Sequence, residues 1–166
     1  MDTPEQADRT RTYTWEDQSA FIAAAQEHTG AELLTMMSDG RIPMPPVAAT
    51  MDFASFDLAD GVVTVTLEPN EFHYNPLGLV HGGVIAMLLD TVAGCAVHAT
   101  LPAGVGYASV DLTVKFLRPV TVRTGLVTAV GRVTHSGSRT SLAEATLSDS
   151  QGRLLATAIS TCMTLG

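Results

Sequence analysis

The sequence predicts an α+β fold in which a six-stranded antiparallel sheet wraps around one long central helix, with a helical extension at the N-terminus. The segment from Gly82 to His98 is long and carries apolar side chains on nearly every face, which is typical of a helix buried on all sides. Two β-rich runs precede this segment and four follow it. A long apolar helix needs a curved sheet around it to bury its surface, which favours this architecture.

Composition limits the classes of function. The 166 residues are 46% hydrophobic, enough for one domain with a proper core. The net charge of −8 argues against binding to nucleic acid or to an anionic membrane surface. Cys95 and Cys162 lie far apart in apolar runs, which favours buried free thiols over a disulfide or a metal site. With no signal-peptide pattern and no convincing membrane span, we expect a cytoplasmic protein.

The N-terminal part of the chain is expected to contain a tail and a helical extension. Residues 1–13 are polar and are predicted to be disordered. Residues 14–49 are predicted to form the helical extension and a Pro-rich connector. Thr14 is the candidate N-cap of a first helix reaching about residue 28, with Asp17 at the capping-box position.

A second short helix is predicted from Ala31 to Ser38, and three prolines should keep residues 41–47 extended. We expect the apolar face of both helices to pack on the main body. The alternative is that Met36 and Met37 line an adaptable pocket.

Residues 50–166 are predicted to form the main domain. Turn signals divide it into β-rich runs on either side of the central helix. The predicted strands are 51–58, 62–67, 107–117, 120–134, 139–148 and 154–164. The last three are spaced as an antiparallel meander.

Asp90 is the residue of the central helix that most requires a functional explanation. Burying a carboxylate without a hydrogen-bond or ion-pair partner costs free energy of folding. We therefore expect this residue to have either such a partner or a chemical role. On the same helix face, Ala86 at i−4 and Gly94 at i+4 are both small, which should leave space open beside the carboxylate. The helix therefore indicates a site around Asp90.

The start of the same helix has the features of an anion site. Gly82 and Gly83 should leave backbone N–H groups free at the positive end of the helix dipole, where an oxygen that develops negative charge would be stabilised. The loop before them carries Asn75, which can both donate and accept hydrogen bonds, and His81, which can hold the loop in shape. Taken alone, each feature could be an ordinary turn or helix start.

In combination, this loop and helix resemble the hotdog-fold acyl-CoA thioesterases of the PaaI (phenylacetyl-CoA thioesterase-like) type. The segment from Ser109 to Pro119 also resembles the strand that follows the helix in these proteins, and the resemblance covers residues 50–166. The N-terminal helices and connector are similar to an extension found in one branch of the family. The residues that match the family motif are Asn75, Gly78, His81, Gly82, Gly83 and Asp90.

The resemblance implies hydrolysis of the thioester of an acyl-CoA, or of an acyl-carrier protein, to a free acid and a thiol. Asp90 would act as general base or as nucleophile, and the Gly82 amide would donate to the oxyanion. Asn75 would hold the carbonyl or the water, and Ser109 would lie near the acid and help to place the water. His81 is expected to shape the loop rather than to act as the base.

Coenzyme A also brings phosphates, for which an acidic protein must supply local positive charge. Arg118 and Arg139, at strand ends and turns, are the predicted contacts, and Gly83 and Gly94 complete the predicted substrate-binding set. We expect no metal, and no cofactor other than the coenzyme A of the substrate.

Self-association as a homodimer or a dimer of dimers is the other expectation. A six-stranded sheet leaves exposed edges, which pairing with a second copy would protect. The resemblance implies that Asn75 and Gly82 come from one chain of the dimer and Asp90 from the other.

Three other site assignments are weaker. A metal site formed by His73, His81 and Asp90 matches no common ligand spacing. A triad using Ser109 and His135 lacks a nucleophile-elbow sequence. His98 is expected to be a structural residue near the helix C-terminus.

Two other functions remain open at this stage, a non-catalytic acyl-CoA or lipid-binding module and an acyl-thioester hydratase or dehydratase. Release of a thiol distinguishes a thioesterase from both.

Overall fold

The computed structural model describes residues 9–165 and has the predicted α+β architecture. Within these residues the helices are α1 (Ser19–Ala24), α2 (Gly30–Ser38), α3 (Pro46–Met51) and α4 (Gly82–His98). The strands are β1 (Phe53–Ala59), β2 (Val62–Leu67), β3 (Gly106–Phe116), β4 (Val127–Ser136), β5 (Thr140–Asp149) and β6 (Leu154–Leu165). Short 3₁₀ turns occur at Glu71–His73 and Val122–Thr124.

The six strands form one antiparallel sheet in the order β1-β2-β4-β5-β6-β3. The predicted meander of the last three strands in the chain is confirmed, because β4 pairs with β5 and β5 with β6. β1 and β3 are the two edges. Helix α4 packs across the inner face of the sheet, and most of its side chains belong to the core.

A close approach between α4 and β4 fixes the helix on the sheet. A Cβ atom at Gly131, in the middle of β4, would lie 2.2 Å from the carbonyl oxygen of Val92. Glycine is therefore the residue that lets the helix backbone rest directly on the strand.

The prediction that α4 is buried on every side is wrong for the isolated chain. A stripe on one side of the helix is only partly covered, and it contains Gly83, Ala86, Met87 and Asp90. This stripe lies towards β3, the last strand of the sheet, and no helix or strand within residues 9–165 lies beyond β3 to cover it.

Within the predicted disordered tail, residues 9–13 have no regular secondary structure but contact the body of the protein, and residues 1–8 lie outside the described part of the chain. The guanidinium of Arg11 donates to the carbonyl oxygens of Thr50 and Ala49, each at 2.6 Å, and lies 4.2 Å from the ring centroid of Phe72. Cation–π and hydrogen-bond contacts of this kind hold the segment on the body. The predicted domain boundaries themselves stay predictions.

The first predicted helix is shorter than expected. α1 begins after Gln18, which provides no side-chain cap, and Thr14 lies outside the helix. Asp17 instead accepts a hydrogen bond from the Ser19 amide at 2.9 Å. The better capping box belongs to α2, where Thr29 and Glu32 cap each other reciprocally.

The prolines and turn chemistry explain two other boundary changes. The end of the predicted extended connector starts α3, because Pro46 stands at the first helical position, which proline favours. The predicted strand 120–134 begins only at Val127, since a capped 3₁₀ turn and Gly125, with φ +68°, precede it.

The helical extension packs on the main body, as predicted, and two of its hydrogen bonds lie just beyond the C-terminal end of α4. The Gly30 amide donates to the Leu101 carbonyl at 3.0 Å, and the Gly104 amide donates to the Ala25 carbonyl at 2.8 Å. Leu33 and Leu34 on α2 are almost completely buried. No helix in the described range 9–165 has the length and apolar character that crossing a membrane requires.

We expect Gly131→Ala to lower the free energy of unfolding by about 1–3 kcal/mol, because the new methyl group would overpack the contact with α4. Urea denaturation measures the change. Gly106→Ala is the control, because a Cβ atom at Gly106 would meet no atom within 4 Å. Equal stabilities of the two variants would show that the helix is not fixed by this contact.

Candidate active site

Asp90 lies half-buried in the middle of α4 and faces a cleft of about 430 Å³. Its Oδ1 accepts a hydrogen bond from Ser109 Oγ at 2.9 Å. No lysine, arginine or histidine within residues 9–165 forms an ion pair with it. The carboxylate is thus oriented by a neutral donor and remains free to accept a proton or attack a carbonyl carbon.

A β-bulge aims Ser109 at the acid. Opposite β6, Ser109 pairs with Cys162 and Asp111 pairs with Thr161, so Val110 is an extra residue without a partner of its own. In a regular strand Ser109 and Leu112 would point to opposite faces. The bulge shifts the alternation, so that Ser109 contacts Asp90 while Leu112 packs against the core.

Asn75 organises the loop that leads to α4. Its Oδ1 accepts hydrogen bonds from the amides of Leu77 at 2.9 Å and Leu79 at 3.2 Å, and Gly78 completes the turn with φ +74°. The side-chain amide nitrogen has no acceptor within the described residues. Asn75 can therefore still donate one hydrogen bond to a ligand.

The N-terminus of α4 presents one free amide. His81 is the N-cap, and its Nδ1 accepts a hydrogen bond from the Gly83 amide at 2.8 Å. The His81 amide donates in turn to the His73 carbonyl at 2.8 Å. The Gly82 amide has no acceptor within residues 9–165, so it is the donor available to an oxyanion.

Gly82 and Gly83 are glycines for different structural reasons. A Cβ atom at Gly83 would lie 2.9 Å from His81 Nδ1, so this glycine makes room for the cap. A Cβ atom at Gly82 would lie 3.2 Å from the ring of Phe116, which covers this residue. The predicted role of Gly83 in substrate binding stays a prediction, and its amide is already used by His81.

Within one chain, the predicted residues form two separate groups. Asn75, Gly82 and Arg118 line a cleft of about 340 Å³ at the start of α4. Asp90 and Ser109 line the second cleft, eight residues further along the helix. The helical rise separates the Gly82 amide from Asp90 by about 12 Å, too far for both to act on one carbonyl group.

The space beside Asp90 is open only on one side. Ala86 lines the cleft as predicted. On the other side, the ring of Tyr107 lies on Gly94, where a Cβ atom would be only 2.6 Å from the tyrosine Oη. The expectation of open space above Gly94 is therefore wrong, because the glycine accommodates Tyr107.

Arg118 and Arg139 lie at opposite ends of the sheet. Arg118 follows β3 and donates to the Leu154 carbonyl, at the start of β6, at 2.5 Å. The carbonyl of Arg139 accepts a hydrogen bond from the Thr164 amide, at the end of β6. Both side chains are exposed, but one chain cannot bring them to the same phosphate.

The structure disfavours the alternative sites. Both ring nitrogens of His73 are used, one by the Asn70 amide and one by the Met51 carbonyl, and burial lowers its pKa. No cluster of three potential metal ligands occurs within residues 9–165. His135 lies on β4, separated from Ser109 by two strands. A triad is therefore excluded by distance, at about 4.8 Å per strand.

The remaining residues near α4 are structural or line a cavity. Cys95 and Cys162 are free thiols, as predicted, and burial raises the pKa of Cys95 to about 12. His98 packs between Phe21 and Tyr107. No sequence pattern indicated the positions of Tyr107 and Phe116, because they depend on how β3 packs along α4.

Comparisons with family models and solved structures place the fold among known proteins. A family model described as the thioesterase superfamily matches residues 77–156, which run from within the loop through α4, β3, β4 and β5 to the first residues of β6. The phenylacetic acid degradation-related protein of Ralstonia eutropha JMP134 is 32% identical in sequence, with a TM-score of 0.71 over 78% of this chain and 98% of that protein. The chain belongs to the thioesterase superfamily. It has the hotdog fold of the PaaI-like members, as the resemblance implied.

Two more distant relatives complete the comparison. The PaaI protein of Escherichia coli, from the phenylacetic acid degradation operon, shares the fold with a TM-score of 0.70 and 21% identity over 82% of this chain and 94% of that protein. A curated Vibrio cholerae protein, named "Putative esterase", is 26% identical over 60% of this chain. The match spans only 65% of the length of that relative. The family supports thioester hydrolysis, and the substrate and the residue roles are proposals.

We expect Gly83→Ala to lower the melting temperature more than Gly82→Ala does. The methyl group at Gly83 would push His81 out of its capping position, and the loss of an N-cap costs about 0.5–2 kcal/mol. At Gly82 the methyl group meets only the ring of Phe116, an exposed side chain that can shift. Thermal unfolding followed by circular dichroism measures both, and equal melting temperatures would contradict the assigned role of His81.

Proposed function

We propose that this protein is an acyl-CoA thioesterase whose active site is completed by two copies of the chain. The observation that carries the proposal is the separation of an oriented, unpaired carboxylate, Asp90, from an unpartnered helix N-terminal amide, Gly82. Thioester hydrolysis needs both groups on one carbonyl. A second chain can bring them together.

The edge strand β3 is the natural contact between the copies. It is 11 residues long, and among the described residues 9–165 only one of its edges is paired, with β6. Long unprotected edges favour pairing with another chain. Large apolar side chains are exposed along this edge and just beyond it: Val110 is 60%, Phe116 56% and Leu117 50% exposed.

Antiparallel pairing of β3 with its copy would assemble the site. If the pairing is centred on the middle of the strand, Phe116 of one chain lies opposite Gly106 of the other. Gly82 contacts Phe116, and Asp90 contacts Ser109, three residues from Gly106. The Gly82 amide of one chain would thus approach Asp90 of the other, and two-fold symmetry would give two equivalent sites.

In the proposed reaction, the thioester carbonyl oxygen accepts a hydrogen bond from the Gly82 amide, with Asn75 donating beside it. Asp90 removes a proton from a water molecule, and the water oxygen bonds to the carbonyl carbon. The negative charge that develops on the carbonyl oxygen is stabilised at the helix N-terminus. The C–S bond then breaks, the thiolate of coenzyme A takes up the proton that Asp90 removed from the water, and the free acid leaves. Ser109 orients the carboxylate throughout.

Direct attack by Asp90 on the carbonyl carbon, through an anhydride, uses the same placement of groups. In that route water would hydrolyse the anhydride in a second step. Incorporation of ¹⁸O from water into the Asp90 carboxylate during a single turnover would establish the anhydride route, because water oxygen enters that carboxylate only by attacking the aspartyl carbonyl of the anhydride.

The same pairing suggests how coenzyme A is held. In the paired sheets, Arg118 of one chain, just beyond Phe116, would lie at the same end as Arg139 of the other chain. Two guanidinium groups could then contact one set of phosphates, which neither chain can do alone. Two free thiols fit a reducing compartment, and we propose a cytoplasmic location.

We expect Asp90→Asn to reduce kcat/KM for hydrolysis of acyl-CoAs by about 10²–10⁴-fold, because the amide cannot act as a base. Release of free coenzyme A, followed with a thiol reagent, measures the rate and also excludes a hydratase, which releases no thiol. Asp57→Asn is the matched control, since Asp57 is exposed on β1, at the opposite edge of the sheet from β3. It should stay within a few-fold of wild type, and full turnover by folded Asp90→Asn would refute the role of Asp90.

Mixing two inactive variants tests the shared site. Chains carrying Asp90→Asn and chains carrying Gly82→Val should each be inactive, whereas each mixed dimer has one site with both wild-type groups. Equal mixing with free exchange should restore about a quarter of wild-type activity, since half of the dimers are mixed and one of their two sites is intact. If mass spectrometry proves exchange and the mixture stays inactive, both groups must come from the same chain.

A further inference from the structure

A separate cavity of about 430 Å³ lies between the N-terminal extension and the C-terminal end of α4, and we call it the extension cavity. One wall comes from residues 18–45 of the extension, and the other from the end of α4 and from residues 102–107. Met37 lines this cavity, as one of the two sequence-based alternatives for this residue predicted, and Met36 does not. Sites for small molecules have volumes of about 300–1,000 Å³, so the cavity is large enough to be one.

The extension cavity has no residue in common with either cleft of the candidate active site. On the side of Asp90, the ring of Tyr107 packs on Gly94, where a Cβ atom would lie 2.6 Å from the tyrosine Oη. This contact separates the cavity from the carboxylate. A ligand of the extension cavity is therefore a different molecule from the acyl group proposed to react at Asp90.

The lining of the cavity disfavours a charged ligand. Its floor includes Leu33 and Leu34, each only 1% exposed, and no side chain of Lys, Arg, Asp or Glu within residues 9–165 lines it. His28 also lines the cavity, and its Nδ1 lies 3.8 Å from the carboxylate of Glu32, which would pair with it if it were protonated. Burial lowers the pKa of His98, so this imidazole is neutral at pH 7. An ionised ligand would lose its hydration without compensation.

Three rings in the walls favour an aromatic ligand. The ring centroids of Phe21 and His98 are 6.5 Å apart with an interplanar angle of 56°, and those of His98 and Tyr107 are 5.6 Å apart with an angle of 45°. Rings at about 4.5–7 Å in tilted arrangements attract each other beyond the gain from buried area. A ring bound in the cavity would add to this row of contacts, whereas an aliphatic chain of the same size would not.

Two side chains in the walls have polar atoms left for a ligand. Gln18 Nε2 donates to the carbonyls of Glu16 at 3.1 Å and Met44 at 3.2 Å, which fixes the side chain and leaves its Oε1 to accept. The His98 imidazole has no hydrogen-bond partner within residues 9–165, and no unpartnered side-chain nitrogen in that range is sealed from solvent. A neutral imidazole offers one donor and one acceptor. A hydroxyl group, which both donates and accepts, matches these atoms.

We propose that the extension cavity is a second binding site of this protein, separate from the site of thioester hydrolysis, for a small uncharged aromatic molecule that carries a hydroxyl group. The ring contacts Phe21, His98 and Tyr107, and the hydroxyl group forms a hydrogen bond with His98. The N-terminal extension thus supplies half of a ligand site that residues 50–166 do not form alone.

The test of position places the same ring at three points of the molecule. Ala25→Phe fills the extension cavity, Ala86→Phe fills the cleft at Asp90, and Ala23→Phe lies on the exposed side of α1. Titration calorimetry with 4-ethylphenol measures binding. We expect Ala25→Phe to weaken it at least about tenfold, because the new ring takes the space of the ligand, and the other two variants to stay within about twofold of wild type. Ala25→Leu replaces Ala25→Phe if the latter does not fold.

The test of chemistry compares ligands on the wild-type protein. 4-Ethylphenol should bind at least about tenfold more tightly than 4-ethylbenzoate, which is charged, and at least about threefold more tightly than ethylbenzene, which lacks the hydroxyl group, or 1-hexanol, which lacks the ring. His98→Phe keeps a ring but cannot form the hydrogen bond, so it should abolish the preference for 4-ethylphenol over ethylbenzene. If His98→Phe does not fold by circular dichroism, the wild-type comparison decides.

Several results would overturn the proposal. Folded wild type that binds no 4-ethylphenol at millimolar concentration would exclude the site, and unchanged binding by Ala25→Phe would place the ligand elsewhere. A loss confined to Ala86→Phe would place it at Asp90. Equal or tighter binding of 4-ethylbenzoate, ethylbenzene or 1-hexanol would refute the ligand class. None of these measurements uses thioester hydrolysis, so their outcome is independent of the proposed function.

Discussion

The rise of an α-helix sets the central constraint on this molecule. The acid, Asp90, and the free amide, Gly82, belong to the same straight helix, and eight residues of helix hold them about 12 Å apart. No change of side-chain rotamer can remove that separation. The exposed stripe on α4, the unpaired edge of β3 and the division of the predicted site into two clefts are all consistent with a second chain that completes it.

Most hydrogen-bonding groups around the loop before α4 already have a partner within the chain. The few that have none are the groups available to bind a substrate. Asn75 holds the turn through its oxygen, His81 holds the Gly83 amide, and Ser109 holds the carboxylate of Asp90. A loop so fully bonded presents its free donor in a fixed position. Preorganised donors of this kind stabilise developing charge without the cost of reorganisation.

The sequence predicted the elements whose signal is local. The turn at Asp60 and Gly61, the strand Val62–Leu67 and the helix Gly82–His98 all appear where the pattern placed them. The resemblance added the pairing of Asp90 with Ser109, which residues 19 positions apart in the chain could not reveal by spacing. The family resemblance could reveal this pairing because it refers to complete folds, in which the strand already packs beside the helix.

The features that sequence could not supply depend on register and packing. The bulge at Val110 exists only in relation to β6, and the Tyr107 ring covers Gly94 only because β3 runs beside α4. The burial of α4 was overestimated for a related reason: the apolar pattern of the helix is the same whether its last face is covered by its own sheet or by a second chain. An apolar helix face indicates that the face is buried, but it does not indicate whether the same chain or a second chain buries it.

The most direct measurement is the mass of the active species. Sedimentation velocity at the protein concentrations of the thioesterase assay gives the mass, and the specific activity is measured on the same dilution series. A shared site predicts an even multiple of the 17.4 kDa chain and a specific activity that falls where the assembly dissociates. A folded 17.4 kDa species with undiminished thioester hydrolysis would contradict it.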